Sequence, residues 1–270
     1  MHTAYERILN QYLVTHTKSW CNVIACFLKK LPAPDEIEQD WVLGFLSKYD
    51  NPNTKDFYFK ALKVVLRKID RLDALEGITF KNRKTKLKPS ELLSPTEVSQ
   101  MLTACRDSTE RAMIEFFLES GCRAGEMLGL ELEDIQLQER FIMVNVRGKT
   151  GTRTLPLLRD NLESFLNHLT YVESGQVFSI TYKVLYRLIK ALYERAGVRK
   201  RKRATHIFRH MKATQLLELG VPETIIKQFM GWSLNSTIIN NYVHLTTKRI
   251  QDFFARLYGL ESREHPDVLM

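Results

Sequence analysis

"THIFRHMKATQLLELG", residues 205–220, sets His206, Arg209 and His210 within one turn of a predicted helix. Positions i, i+3 and i+4 share a helix face, so these three side chains point one way while Ile207, Phe208 and Met211 point largely elsewhere. Two chemistries use histidines four apart on a helix: zinc binding, and the handling of a negatively charged group. A zinc-protease helix carries glutamate directly after the first histidine. Here Ile207 stands in that place, and the cation at Arg209 would repel a metal held between the rings. The face is a candidate site for an anion, and the rest of the chain must say which one.

Working outward, the chain has 270 residues, 44% of them hydrophobic, enough for real cores in one large or two ordinary domains. Forty Lys plus Arg against 31 Asp plus Glu give a net charge of +9. That excess favours a polyanionic partner, nucleic acid first and an anionic membrane second. The most apolar window, "WCNVIACFL" at residues 20–28, is too short to cross a bilayer. Cys21, Cys26, Cys105 and Cys122 show no C-x-x-C spacing, and "MHTAYERILNQ" has no basic stretch followed by an apolar run. The expectation is a reduced, intracellular protein that does not insert in a membrane.

The expected fold class is mainly α, in two domains. Residues 1–80 read as a small domain of about four helices, with a new apolar face of Trp41, Phe45 and Leu46 after the proline break in "LPAPDE". Residues 81–93 read as a basic, extended linker in which Lys81, Arg83, Lys84, Lys86 and Lys88 come without apolar rhythm, a candidate arm against a phosphate backbone. Residues 94–270 form the larger domain, opened by a capping box in "SPTEVSQML" with Ser94, Pro95 and Glu97 in the required places. In it, "RFIMVNV" (140–146) predicts a strand, "RGKTG" a turn and "TRTLPL" a return strand. Helices are predicted at 158–168, 182–196, 205–220, 222–230, 236–244 and 247–258.

Three further features join the 205–220 helix. "FFLESGCRAGEMLGLELEDI" places Arg123 at a helix break made by Gly121, with Glu126 three residues on to brace it. "VRGKTGTRTL" presents Lys149 at a hairpin tip, and "MGWSLNSTIINNYVHL" puts Trp232 after a Gly231 helix stop, with Tyr242 ten positions later. Each alone is ordinary. Together, two arginines, a lysine, a histidine and a tyrosine have one physical use, activating a phosphodiester without a metal. Arginine forks neutralise charge that grows on phosphate oxygens, and a phenol can attack phosphorus once its proton is drawn off. Lysine or histidine can protonate the departing sugar oxygen.

On these residues the sequence resembles the tyrosine recombinase and integrase family, Xer-like, with a motif style nearest the archaeal integrases. The resemblance runs from residue 118 to 244 in specific motifs. It implies a site with no cofactor and no metal, in which Arg123 and Arg209 bind the phosphate, Glu126 supports Arg123, Lys149 is the general acid and His206 an acid/base residue. It further implies that Trp232 stands where many members have histidine, that His210 is a structural hydrogen-bonding residue and that Tyr242 is the nucleophile, with Tyr258 a second candidate. Residues 1–80 would be a core-binding domain closing a clamp around double-stranded DNA with the catalytic domain at 94–270. The implied activity is site-specific cleavage and rejoining through a 3′-phosphotyrosyl intermediate, by a dimer on one site and a tetramer in synapsis. Arg199, Lys200, Arg201, Lys202 and Arg203, which lead into the His206 helix, would contact phosphates. The rival expectations are type IB topoisomerase-like relaxation and catalytically silent DNA binding.

Overall fold

Apolar residues before position 80 and after position 91 condense into separate cores in the computed structural model, which describes residues 2–15, 18–79, 88–148, 151–199 and 204–243. The chain divides into two compact units, Met1–Thr85 and Lys86–Met270.

The first unit has four helices, α1 (Thr3–Thr15), α2 (Lys18–Leu28), α3 (Gln39–Ser47) and α4 (Pro52–Lys68). α4 starts where its sequence says it should. The Asn51 side chain accepts from the N–H groups of Asn53 and Thr54, and Pro52 takes the first turn, where no N–H is needed. Phe45, Leu46, Leu62 and Leu66 are buried in the core, with Trp41 stacked on Phe45 at 5.0 Å.

The second unit starts earlier than a linker would. Pro89–Glu91 form a 3-10 turn, and Leu93 is 5% exposed in the second core with Leu92 packed against that core. The stretch from residue 88 to 93 is therefore not extended as expected, because two adjacent leucines have a core within reach. Lys81, Arg83, Lys84 and Lys86 lie outside the described residues. α5 (Pro95–Thr103) opens with the predicted capping box: Ser94 Oγ accepts from the Glu97 N–H at 3.2 Å, and Glu97 Oε2 accepts from the Ser94 N–H at 2.8 Å.

α6 (Ser108–Ser120) is the central element, and α7 (Ala124–Leu128) follows it after a tight break. β1 (Ile135–Leu137), β2 (Phe141–Gly148) and β3 (Gly151–Leu158) make an antiparallel sheet in sequence order. β1 is not foreseen because three residues are too few to show a period. The hairpin arms outrun the prediction: the ladder continues to Gly148 opposite Gly151, leaving a two-residue tip, Lys149 and Thr150, outside the described residues.

α8 (Glu163–Leu169) is shorter than the predicted 158–168 helix, since Arg159–Asn161 form a separate 3-10 turn and Leu162, fully buried, leaves helical backbone at φ −130°. Glu115 of α6 fixes this start by accepting from the N–H groups of Ser164 and Phe165 at 2.8 and 3.2 Å, a carboxylate at a helix N-terminus. α9 (Tyr182–Arg195), α10 (His206–Glu218) and α11 (Glu223–Met230) fall where predicted. α12 (Asn240–Val243) starts four residues later than the predicted 236–244 helix: Ser236 Oγ accepts from the Ile238 N–H at 3.3 Å, a local turn that competes with helix. The predicted 247–258 helix, Tyr258 included, lies outside the described residues.

α10 is fastened along α6. Phe208 stacks on Phe117 with ring centroids 5.5 Å apart, and Lys212 Nζ reaches Glu119 Oε2 at 3.1 Å.

Candidate active site

Two glycine helix stops frame the site. α6 ends at Gly121 and α11 at Gly231, with φ of 56° and 60°, the left-handed conformation that glycine adopts without steric cost. Helix ends leave their last carbonyls without intrahelical donors and carry partial negative charge. Arg209, 5% exposed on α10, lies between the two ends: Nη1 donates to Gly121 O at 2.9 Å, and Nη2 donates to Met230 O. Two of five guanidinium N–H groups are thereby committed to holding the side chain, and three remain for a ligand. Burial, with added repulsion from Arg123 and Arg153, pushes the Arg209 guanidinium down to about 10, while Glu126 and Tyr242 oppose that. It stays charged at neutral pH.

Arg123 occupies the N-cap position of α7. Its backbone N–H donates to Glu126 Oε2 and its Nη1 to Glu126 Oε1, both at 2.7 Å, so one carboxylate fixes main chain and side chain together. The brace expected from the three-residue spacing is present, and the Arg123 side chain remains 34% exposed, open to a ligand. Glu126 is 3% exposed. Burial alone would push its carboxyl up, but the hydrogen bonds and charges of Arg153 and Arg123 hold it at about 2, against an ordinary 4.5.

Arg153 is the participant that the sequence reading missed. From β3 it donates Nη1 to Glu126 Oε1 at 3.0 Å, Nη2 to Glu126 Oε2 at 2.9 Å and Nε to Phe229 O at 2.7 Å, at the end of α11. A signal was available. Alternate residues of a strand share a face, and Arg153 has the parity of Leu155 and Leu157, both fully buried, opposite buried Val146. An arginine on the inward parity of a half-buried strand needs an acid inside, and Glu126 is that acid.

The remaining members gather on the far side of Arg209. Tyr242 is 3% exposed within a small cluster of Ala213, Leu217, Ile226, Met230, Trp232 and Ile239. Its hydroxyl lies 2.7 Å from His210 Nδ1. Trp232 stacks on the Tyr242 ring at 5.7 Å and 20°, and the Arg209 guanidinium lies over the indole at 5.6 Å. The three side chains of the 205–220 motif do not share one environment: His206 is exposed on the first turn of α10, Arg209 is buried, and His210 is half-buried against Tyr242. Lys88 and Arg199 are exposed; Lys149, Lys200, Arg201, Lys202 and Arg203 lie outside the described residues. Three guanidinium groups, Arg123, Arg153 and Arg209, thus act around the Glu126 carboxylate, leaving a surplus of positive charge that an anion would relieve.

A helical unit with a small antiparallel sheet, built around a cationic cluster next to a hydrogen-bonded tyrosine, defines a class of anion-handling domain with a potential nucleophile in it. The model of the phage integrase family matches residues 91–249, more than half of the chain, and the chain belongs to that family. It is 25% identical to transposase A from transposon Tn554 of Staphylococcus aureus over 67% of this chain and 56% of the transposase. It is also 25% identical to the tyrosine recombinase XerA of Saccharolobus solfataricus, over 68% of this chain and 62% of that protein. The chain thus spans less than two thirds of these relatives' length. Among solved structures, the XerH site-specific recombinase bound to a palindromic difH substrate in a post-cleavage complex superposes with a TM-score of 0.66, at 21% identity over 88% of this chain and 77% of that one. That likeness establishes the fold.

Proposed function

We propose that the chain is a site-specific DNA recombinase that cleaves and rejoins strands through a 3′-phosphotyrosyl intermediate, in integration, excision or dimer resolution. The observation that carries this reading is the Arg209–Trp232–Tyr242–His210 contact chain beside the Arg123–Glu126 brace. It puts a phenol hydroxyl within hydrogen-bond distance of an imidazole nitrogen and next to cations with unused donors. Arg123 and Arg209 neutralise the non-bridging oxygens of the scissile phosphate as Tyr242 attacks, the Trp232 N–H adds a donor, and Lys149 or His206 protonates the departing 5′-oxygen. The ester keeps the bond energy, so the reverse step with another strand needs no external energy source.

The partner is double-stranded DNA, bound by a dimer on one site and a tetramer in synapsis. Lys81, Arg83, Lys84, Lys86, Lys88 and the basic run 199–203 contact its backbone. Among the described residues no helix is long and apolar enough to cross a membrane and no cluster of side chains could hold a metal ion. The site of action is the nucleoid in the cytoplasm, and the reaction uses no cofactor. The relatives named above are a transposase and a recombinase, which favours strand exchange over topoisomerase-like relaxation or silent binding.

The test is a covalent trap. Duplexes from the DNA adjoining the gene, nicked beside each candidate scissile phosphate, are incubated with the chain and resolved on a denaturing gel. A protein–DNA adduct linked through Tyr242 is expected, and the absence of any adduct across the flanking DNA would sink the proposal.

A further inference from the structure

We infer that Arg153 is a positioning residue of this site: it locks the carboxylate that holds the phosphate-binding Arg123 and ties it to the turn from which Trp232 emerges. The inference rests on the proposed function for the identity of the reaction and adds a residue that no motif assigned.

Three observations carry it. First, Arg153 spans both Glu126 oxygens at 3.0 and 2.9 Å, and the same two oxygens take the backbone N–H and Nη1 of Arg123 at 2.7 Å. A carboxylate gripped from one side by a two-point fork cannot swing, so the direction of Arg123 is set from β3. Second, Arg153 Nε and Arg209 Nη2 take consecutive carbonyls, Phe229 and Met230, at the end of α11. The turn leading to Trp232 is thus pinned by two arginines from different elements. Third, the backbone makes room for this arrangement and for little else. A Cβ on Gly148 would lie 2.6 Å from Glu126 Oε1, and one on Gly231 would lie 2.9 Å from Arg153 Nη1. Glycine on each side is what lets acid and arginine approach so closely. With Nε, Nη1 and Nη2 all engaged and the side chain 11% exposed, Arg153 acts through Glu126 and does not itself have to meet the DNA.

The test compares Arg153→Gln, Glu126→Gln and Arg123→Ala, singly and as the Arg153→Gln/Glu126→Gln pair, in single-turnover cleavage of a nicked duplex carrying the mapped site. The duplex is made with an ordinary scissile phosphate and with a methylphosphonate there, which has lost the negative charge that the arginines neutralise. On the ordinary phosphate Arg153→Gln should slow adduct formation by about 10- to 100-fold, the scale for loss of a partner that orients a ligating group, with DNA affinity unchanged. Its deficit should shrink on the methylphosphonate in parallel with that of Arg123→Ala, and the double variant should be no slower than its slower single. A purely structural arginine would leave the same deficit on both substrates. That result, or deficits that multiply in the double variant, would overturn the inference while leaving the proposed function standing. A wild-type chain that forms no adduct would overturn both. Should Arg153→Gln fail to fold, Arg153→Lys carries the same comparison, since one ammonium keeps the charge but cannot span two carboxylate oxygens and a carbonyl.

Discussion

At Tyr242 the hydroxyl is the only group that Phe lacks, and the ring is packed among Trp232, Met230 and Ile239. Tyr242→Phe should therefore keep fold and DNA affinity and lose the covalent adduct entirely, read on the denaturing gel; an adduct of normal yield would move the nucleophile to Tyr258. Lys149 can be separated from charge neutralisation by the leaving group. With a bridging 5′-sulfur the departing thiolate needs no proton, so Lys149→Ala should return to near the wild-type rate on that substrate while Arg209→Ala recovers far less. Equal rescue of both would assign the proton to another residue, His206 first. Glu126 makes a prediction about stability. Its carboxyl lies at about 2 in the fold against 4.5 ordinarily, so its contribution, at most about 3 kcal/mol by linkage, is fully present above pH 4.5 and fades as pH falls toward 2. The gap in unfolding free energy between wild type and Glu126→Gln, measured in urea, should be constant from pH 5 to 7 and narrow below. Sequence disclosed most of this cluster because Gly121, Arg123 and Glu126 are local neighbours, and so are His206, Arg209 and His210. Arg153 stayed hidden because its partner is 27 residues away and only strand parity links the two.

Helix ends, more than helix bodies, shape the site. The left-handed stops at Gly121 and Gly231 turn out the carbonyls that hold Arg209, and glycine at a predicted helix limit was legible for that reason. What could not be read were elements set by distant contacts. α8 starts where Glu115 caps it, and α12 starts only at Asn240, after the Ser236 turn, although 236–244 has a helical pattern. Gly231→Ala is the test at this scale. The new methyl group would sit 2.9 to 3.2 Å from three Arg153 atoms on a backbone of φ 60°. It should cost about 1–3 kcal/mol in unfolding free energy, a strained backbone and a displaced guanidinium together. Cleavage should fall with it, as Trp232 follows directly; a variant as stable as wild type would contradict the account of this turn.

Over the whole molecule, charge is the feature that bears on the proposed DNA partner. The first 90 residues hold sixteen basic and ten acidic side chains, and net charge is +9. Affinity for duplex DNA should fall steeply with salt, and neutralising Lys84, Lys86 and Lys88 together should lower the slope of log affinity against log salt by up to about 3, near one released counterion per phosphate contact. Titration at several salt concentrations measures it, and an unchanged slope would return residues 81–88 to the role of a tether. The two cores were legible from composition and periodicity alone, whereas the capture of Leu93 by the second core was not, since a single leucine beside a basic run carries no period. One feature of that second unit bears on the cell that contains it. On the proposed function the chain would work among a great excess of phosphodiesters, and a phenol lodged at 3% exposure in a hydrophobic cluster would be shielded from the ones it merely brushes against. Collateral nicking of the genome is then governed by how seldom the cluster opens, a safeguard that works before any base is read.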